Sequence, residues 1–427
     1  MSISADVLTL DTEVAAHVPI SPADGVVPVL AHLRANGEAS RAELAEATRL
    51  GRSVLMQRIE TLLKSGLLAE DRVGASTGGR APRLLRFRAD AGHLLVADLG
   101  ATSTDVALAD LSGGILAHRQ EPSEIAAGPE AVLGRVEELF DECVAEVGAS
   151  RGNVWAIGIG VPGPVEFASG RPVSPPIMPG WDGYSVRERL AHRGVPVWVD
   201  NDVNVMALGE LTAGSGRGVD DFVYVKIGTG IGAGIVVDGR IHRGAKGSAG
   251  DVGHIHVQAG RDVTCRCGMS GCLEAFAGGA ALARDAEAAA REGRSPILRA
   301  LLDTKGFLTS EDVATASKHG DPVSVELITE AGRLIGQMLT GIVNFFNPSL
   351  IVIGGGVAGA GDLLLATVRQ TIYRRSLPLA TRDLTVRRSA LDDRAGVIGA
   401  ATMAANELFA PAFLLRWLGA GTPAGHA

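Results

Sequence analysis

Three of the chain's four cysteines fall within eight residues, and this clustering constrains the fold more than any other feature. They are Cys265, Cys267 and Cys272, with His254 and His256 just upstream. Thiolates and an imidazole at such spacing form the Cys₃His ligand set of a closed, tetrahedral structural zinc site. Cysteine is often merely a small buried hydrophobe, but three in so short a segment favour metal. We predict a Zn²⁺ site with His254 as the preferred fourth ligand, while His256 stays open.

Length and composition indicate a multidomain protein. The chain has 427 residues, of which 46% are hydrophobic and 21% charged, so two or three domains with real cores are expected. No apolar run reaches the roughly 18 residues of a membrane span. Acidic residues stand near the N-terminus, where a signal peptide would be basic. Clustered thiols without a disulfide framework indicate a reducing compartment, so we predict a cytoplasmic protein without a membrane partner.

The first 90 residues predict a winged helix-turn-helix. Apolar residues recur at helical spacing over 26–35, a capping box Ser40-Arg-Ala-Glu43 starts a second helix, and a third covers about 52–64. Strands at 67–70 and 83–87 would flank a loop, the wing. We place this domain at residues 23–90, after a flexible tail at 1–22.

Charge within this segment predicts contact with DNA. The whole chain carries a net charge of −8, yet nine basic residues stand against three acidic ones between Arg49 and Arg88. Arg52, Ser53 and Gln57 would face outward from the third helix, where such side chains reach base edges. Arg80, flanked by glycines, could enter a minor groove. The alternative is a basic hairpin or a protein-docking domain.

Two strand–glycine turn–strand units, far apart in the chain, predict duplicated lobes facing one cleft. The first turn is Asp98-Leu-Gly100-Ala-Thr102, the second is Gly228-Thr229-Gly230-Ile-Gly232, and a third turn, Gly354–Gly356, follows a later strand. Another strand ends at Asn201-Asp202, and strand ends are where α/β proteins usually place ligands. Glycine turns alone are weak signals, because many are architectural.

A longer motif carries a family resemblance. Gly-Asp-Val-Gly-His at 250–254, followed by Cys-x-Cys-Gly-x-x-Gly-Cys-x-Glu at 265–274, resembles the ROK family of sugar kinases and sugar-responsive repressors. The resemblance implies an α/β protein: an N-terminal winged helix-turn-helix, then a two-lobed, actin-like (ribonuclease-H-like) ATPase fold with structural zinc. The implied N-terminal lobe covers 91–200, completed by a C-terminal helix at about 395–412. The C-terminal lobe covers 201–394 with its zinc motif at 254–272, and we expect a disordered tail at 416–427.

The resemblance also implies roles for individual residues. Zinc would be held by His254, Cys265, Cys267 and Cys272. A monosaccharide or sugar derivative would contact Asn201, Asp202, Asp251, His254 and Glu274, and Asp202 would be the general base of a kinase. ATP with Mg²⁺, if the chain is a kinase, would contact Asp98, Gly100, Thr102, Gly228, Thr229, Gly230 and Gly355.

Four positions depart from the family's kinase pattern. Asp251 replaces glutamate, Ala101 a glycine, Ser103 a lysine and Ile177 an asparagine. A methyl at Ala101 would obstruct phosphate if that position needs positive φ. We therefore predict a sugar-responsive transcriptional repressor that acts as a homodimer, with a tetramer left open, on a pseudo-palindromic operator. The alternative is an ATP-dependent sugar kinase with an accessory DNA-binding domain.

Overall fold

A computed structural model describes residues 22–74 and 81–426 of the chain. The chain divides into two compact units, Met1–Arg88 and Ala89–Ala427, which are described separately. The predicted tail up to residue 21 and the predicted DNA contact Arg80 lie outside the described residues. Within the described ranges, no single helix has the length and apolarity to cross a membrane, and one bent pair of helices, Asp392–Leu408 with Pro411–Ala420, passes that test by length and composition alone.

The described residues of the first unit form three helices and a small antiparallel sheet in which the third strand lies between the first and the second. The predicted capping box is confirmed: the Ser40 hydroxyl accepts from the amide of Glu43 at 3.3 Å, and the Glu43 carboxylate accepts from the amide of Ser40 at 2.6 Å. The elements are α1 (Pro22–Asn36), β1 (Glu38–Ser40), α2 (Arg41–Thr48), α3 (Arg52–Lys64), β2 (Leu68–Val73) and β3 (Arg83–Phe87). The sequence did not predict β1.

Helix α3 buries one face against the first unit's core. Leu55, Ile59 and Leu62 are at most 2% exposed, as their spacing predicts. The next apolar residue, Leu63, is only half-buried, whereas Arg58 is buried. Glycine at position 25 of α1 explains the burial of Arg58, because a Cβ there would lie 3.0 Å from the Arg58 Cγ. The missing side chain leaves room for the arginine stem.

The second unit contains two five-stranded sheets with helices packed on them. Its strands are β4 (His93–Leu99), β5 (Ser103–Asp110), β6 (Ile115–Pro122), β7 (Val154–Val161), β8 (Val165–Glu166), β9 (Arg171–Pro172), β10 (Val197–Asn201), β11 (Phe222–Ile227), β12 (Ile231–Val237), β13 (Arg240–Ile241), β14 (Leu350–Gly354) and β15 (Thr385–Arg388). Its helices are α4 (Pro129–Val147), α5 (Val186–Leu190), α6 (Asp202–Ala213), α7 (Glu274–Ala277), α8 (Gly279–Arg291), α9 (Pro296–Lys305), α10 (Ser310–Lys318), α11 (Pro322–Phe346), α12 (Asp362–Arg375), α13 (Pro378–Thr381), α14 (Ala395–Leu408) and α15 (Pro411–Trp417).

The two sheets repeat one pattern. The first has the order β10-β7-β4-β5-β6 and the second β13-β12-β11-β14-β15. In each, an antiparallel pair joined by a glycine turn, β4–β5 or β11–β12, lies beside parallel strands. Helix α4 packs on the first sheet, whereas α8 to α12 contribute to the core of the second. The predicted strand–glycine turn–strand units are therefore present in both sheets.

Helices α6 and α14 cross at very close range. A Cβ at Gly399 would lie 1.7 Å from the carbonyl oxygen of Val205, and one at Gly209 would lie 2.1 Å from that of Ala395. Only glycine fits at these two positions, since real Cβ atoms never approach a carbonyl so closely. Because α6 begins at Asp202, this crossing fixes the place of a predicted site residue.

The C-terminal segment is folded, so the predicted disorder from residue 416 is wrong for the start of that range. Trp417, at the end of α15, is fully buried and meets Trp155 edge to face with ring centroids 5.4 Å apart. Its indole nitrogen donates to the carbonyl of Leu408 at 3.2 Å, and Leu418 is 8% exposed. Low complexity of the last residues concealed one large aromatic anchor.

Candidate functional site

A cleft of about 1280 Å³ collects most of the residues that the sequence singled out. That volume is ample for a small organic ligand. Glycine turns from both sheets, the start of α6 and the segment before α7 line it. The predicted residues among its walls are Gly100, Thr102, Asn201, Asp202, Gly228, Thr229, Gly230, Asp251, His254, Cys265 and Glu274. Of the other predicted nucleotide contacts, Asp98 lies buried beneath the cleft, and Gly356 lines it in place of Gly355.

Asn201 and Asp202 stand where β10 passes into α6. The side-chain oxygen of Asn201 caps the helix by accepting from the amides of Val203 and Asn204, at 2.9 and 3.2 Å. Its amide nitrogen donates to the carbonyl of Gly163 at 2.9 Å and to Asp202 Oδ1 at 3.1 Å. These hydrogen bonds hold both side chains at the carboxyl end of β10.

An ion pair between the buried Asp200 and the half-buried Arg243 was not predicted. Asp200 accepts from the Arg243 guanidinium at 2.8 Å and also from the backbone amide of Asn201 and the side chain of Asn204. The Arg243 guanidinium lies 3.9 Å from the centre of the Phe167 ring. The pair links β10 to the loop after β13, and so it supports the segment that carries Asn201.

Lys226 is a functional candidate that the sequence reasoning missed. Its ammonium donates to Asp202 Oδ2 at 2.6 Å. Burial alone would lower the pKa of Lys226, but the carboxylates of Asp202 and Asp98 outweigh it and raise the pKa above the ordinary range. A charged residue in the apolar strand Phe222–Ile227, two positions before the glycine turn, was the available signal.

Asp98 is the penultimate residue of β4 and lies buried beside charged groups. It is 4% exposed, and its Oδ1 has no hydrogen-bond partner within the described chain. Burial, reinforced by Asp202 and Asp105 and partly offset by Lys226, raises its pKa from 3.8 to about 7. Helix α14 closes over it: a Cβ at Gly396 would lie 1.9 Å from Asp98 Oδ2.

The ligand atoms of His254, Cys265, Cys267 and Cys272 all lie within 4.8 Å of one another. The sulfurs of Cys267 and Cys272 are 3.7 Å apart, and that of Cys265 is 3.7 Å from His254 Nδ1. A tetrahedron with Zn–S bonds of about 2.3 Å has sulfur–sulfur edges of about 3.8 Å, so the spacing fits. Burial raises the pKa of the Cys265 and Cys272 thiols, and a cation is what would hold them as thiolates.

The other candidate ligand, His256, is placed differently. It forms an isolated β-bridge with Cys272, and its ring lies against Gly271, where a Cβ would be 2.4 Å from the imidazole Cδ2. It is outside the four-residue cluster that could hold a metal ion. Of the two histidines, the structure therefore brings His254 to the cysteines.

Two carboxylates connect this cluster to the cleft. Glu274 Oε1 accepts from the Cys265 thiol at 3.2 Å and lies 3.9 Å from His254 Nδ1. Its Oε2 faces Gly230, where a Cβ would be 2.5 Å away. Asp251 Oδ1 lies 3.7 Å from His254 Nε2, and burial, offset by His254 but aided by Glu274, raises the pKa of Asp251. His254 thus turns Nδ1 to the cysteines and Nε2 towards Asp251.

The backbone of the first glycine turn can accommodate a side chain at Ala101. The φ of Ala101 is not positive, whereas Gly355 of the third turn has a φ of +89°. The amide of Gly100 donates to the carbonyl of Ser103 at 2.8 Å, which closes the turn without strain at the alanine. The sequence-based objection to phosphate binding at Ala101 is therefore unsupported by the backbone.

The chain is similar to known proteins both in sequence and in fold. The sequence profile of the ROK family matches residues 95–407. The chain belongs to the ROK family. The xylose repressor of Caldicellulosiruptor bescii is 31% identical over 370 residues, covering 86% of this chain and 92% of its own length. The family's actin-like sugar-kinase and regulator fold is that of the second unit.

Solved ROK structures of two kinds resemble the chain. A ROK transcriptional regulator, a homologue of the E. coli MLC protein, has a TM-score of 0.77 at 28% identity, covering 93% of this chain and 98% of its own. A ROK glucokinase from Streptomyces griseus, solved with glucose and AMPPNP, has a TM-score of 0.63 at 32% identity, covering 73% and 99%. Residues 89–427 are 339 of 427, about 79% of the chain. The matches to the xylose repressor and to the ROK regulator each cover more than that share, so both extend into the first unit.

Proposed function

We propose that this ROK protein is a sugar-responsive, DNA-binding transcriptional repressor. The observation that carries the proposal is that its likeness to a xylose repressor and to a ROK regulator extends into the first unit. That unit would be a winged helix-turn-helix on operator DNA, and the cleft of the second unit would bind a monosaccharide or a derivative. A structural Zn²⁺ held by His254 and the three cysteines would fix Asp251 and Glu274.

The surface of the first unit supports contact with DNA. Arg52, Ser53 and Gln57 are exposed in the first two turns of α3, where recognition helices reach base edges. Arg49 and Arg52 make no ion pair within the described part of the chain, so both are available to phosphates or bases. A homodimer would present two such helices to half-sites about 34 Å apart or a multiple of that distance.

Replacing Arg52 by alanine is expected to weaken binding to DNA from upstream of the protein's own gene by about 10- to 100-fold. Fluorescence anisotropy across a salt series measures this, and wild-type affinity should fall steeply with salt. Arg299→Ala, which removes an exposed arginine from α9, is the matched control and should leave affinity unchanged. If the wild-type protein binds no upstream fragment, with or without sugars, the regulator proposal fails.

The cleft supports sugar binding because its polar groups converge on a volume suited to a small molecule. Asp251, His254 and Glu274 lie on the zinc side, with Asn201 and Asp202 at the start of α6. Carboxylates, an amide and an imidazole are the groups that pair with sugar hydroxyls. A sugar would shift the protein between a conformation that binds DNA and one that does not only if it bound the two conformations with unequal affinity.

Sugar binding predicts a ligand-specific rise in melting temperature across a monosaccharide library. Asp251→Ala should lower the affinity for the best sugar by about 10- to 100-fold, since it removes a charged hydrogen-bond partner. Asp262→Ala is the matched control: it is exposed on the same segment, lies outside the cleft, and should bind as the wild type does. Equal loss in both variants would refute a direct contact by Asp251.

The second candidate is an ATP-dependent sugar kinase with Asp202 as general base. The likeness to a glucokinase, the three glycine turns and the backbone at Ala101 favour it. ATP and Mg²⁺ would then be its cofactors. A coupled assay with ATP, Mg²⁺ and a sugar panel tests this candidate, and steady turnover that Asp202→Asn abolishes would establish it over a purely sensory cleft.

A further inference from the structure

Lys226 lies between two glycines on the neighbouring strands, which leave space for its side chain. It is the residue of β11 that pairs with Gly232 of β12 on one side and with Gly354 of β14 on the other. Neither neighbour has a side chain, so the lysine stem can cross the sheet towards the cleft. A Cβ at Gly228 would lie 3.5 Å from the Lys226 Cε, which places the stem under the second glycine turn.

The ammonium of this lysine lies among three carboxylates. It contacts Asp202 at 2.6 Å and interacts electrostatically with Asp98 and Asp105. Asp105 is also held by His118 Nε2 at 3.2 Å and by the Gln120 amide at 3.5 Å. Asp98 is more than nine-tenths buried, with Oδ1 unpartnered in the described structure. The ammonium therefore offsets the negative charge that these three buried carboxylates carry when they are ionised.

The same contact occupies Asp202. Its Oδ2 accepts from Lys226, while Oδ1 accepts from the amide of Val203 at 2.9 Å and from Asn201 at 3.1 Å. To act as a general base, Asp202 must take up a proton from a ligand hydroxyl. Protonation of Asp202 would break its ion pair with Lys226 and leave the ammonium buried beside a neutral acid.

The ammonium also competes with a divalent cation. Carboxylate oxygens are the ligands that Mg²⁺ and Mn²⁺ prefer, and Asp98, Asp105 and Asp202 form such a group. A metal ion entering the group would meet an ammonium 2.6 Å from Asp202 Oδ2, and two cations at that range repel strongly in a buried site.

We propose that Lys226 is a positioning residue that takes the place of a divalent cation in the cleft, holding Asp202 as a hydrogen-bond acceptor for a sugar and not as a base. The cleft then binds its ligand without metal and without phosphoryl transfer. The part of this proposal that concerns the sugar rests on the proposed function, whereas the exclusion of the cation does not.

Mn²⁺ binding, followed by electron paramagnetic resonance on the full-length protein, tests the exclusion. Lys226→Met should bind Mn²⁺ more tightly than the wild type, on the order of 10-fold or more. Lys226→Arg, which keeps the charge, should behave as the wild type does. Lys64→Met is the matched control, because Lys64 pairs with Glu60 on the surface of the first unit. Lys226→Gln serves in place of the methionine variant if the latter loses its cooperative melting transition.

Two results would overturn the inference. One is equal Mn²⁺ affinity in Lys226→Met and wild type. The other is steady ATP-dependent turnover of a sugar by the wild type, because the cleft would then transfer a phosphoryl group, which the proposal excludes. Failure of the proposed function is seen separately: no sugar in the library would raise the melting temperature of the wild type, while the Mn²⁺ comparison would keep its meaning.

Discussion

Cys272→Ser is expected to release the metal and lower the free energy of unfolding on the order of 4 kcal/mol, in the range of exceptional substitutions that remove a metal. Cys272 is 1% exposed and completes the cluster with Cys267. Without the metal, the buried thiol of Cys265, the half-buried thiol of Cys267 and the imidazole of His254 have no shared partner. Structural zinc is worth about 10–16 kcal/mol in small domains that depend on it entirely, and here the second sheet's core supplies part of the stability.

Metal analysis by mass spectrometry and thermal denaturation measure both effects. The wild type should carry one zinc per chain, and Cys272→Ser well under half of that. Cys143→Ser is the matched control, since Cys143 is equally buried but lies on α4, outside the cluster. It should keep its zinc and lose only about 1–3 kcal/mol from the buried hydroxyl. A wild-type protein purified without any metal would contradict the assignment.

Loss of zinc should also weaken sugar binding. Glu274 Oε1 contacts the Cys265 thiol, and Asp251 lies beside the ring nitrogen of His254 that faces away from the cysteines. Release of the metal would free both carboxylates to move, which raises the entropic cost of ordering them around a ligand. The thermal shift caused by the best sugar should therefore shrink in Cys272→Ser but persist in Cys143→Ser.

The sequence predicted what depends on short-range spacing. The cysteines approach one another because Gly268 and Gly271, both at positive φ, turn the chain back within eight residues. The capping box at Ser40 and the exposed residues of α3 are likewise local properties of a helix. Periodicity and spacing record such features directly in the order of residues.

Other features were concealed because they depend on packing between distant segments. The pairing of Lys226 with Asp202 joins β11 to α6, and the burial of Asp98 depends on α14, almost 300 residues later in the chain. Trp417 also finds its partner, Trp155, far away in the sequence. Asp98 was predicted as a polar loop residue at the cleft, and the structure places it beneath the cleft instead.

Asp98→Asn is expected to stabilise the protein at pH 8 and to change it little at pH 4. The folded protein raises the pKa of Asp98 from 3.8 to about 7, chiefly through burial. Between those values the folded state holds a proton that the unfolded chain has lost, so the free energy of unfolding falls as pH rises from about 4 to about 7. Above pH 7 this loss is complete, and it amounts to at most about 4 kcal/mol.

Asparagine matches aspartate in shape but cannot ionise, so the variant should lack this loss. Because the new amide must itself be hydrogen-bonded in a buried setting, we expect a net gain at pH 8 of about 1–3 kcal/mol. Urea denaturation at pH 4, 6 and 8 measures the difference between variant and wild type. That difference isolates Asp98 from other groups whose pKa is raised, such as Glu407.

Asp303→Asn is the matched control for this comparison. Asp303 is exposed and pairs with Arg299 on the surface of α9, where an ion pair contributes little to stability. Its free energy of unfolding, plotted against pH, should run parallel to that of the wild type at all three pH values. If the curve of Asp98→Asn also runs parallel, the pKa of Asp98 is not raised in the folded protein, because the Lys226 ammonium compensates fully for its burial. Asp98 and Asp202 would then share the one ammonium.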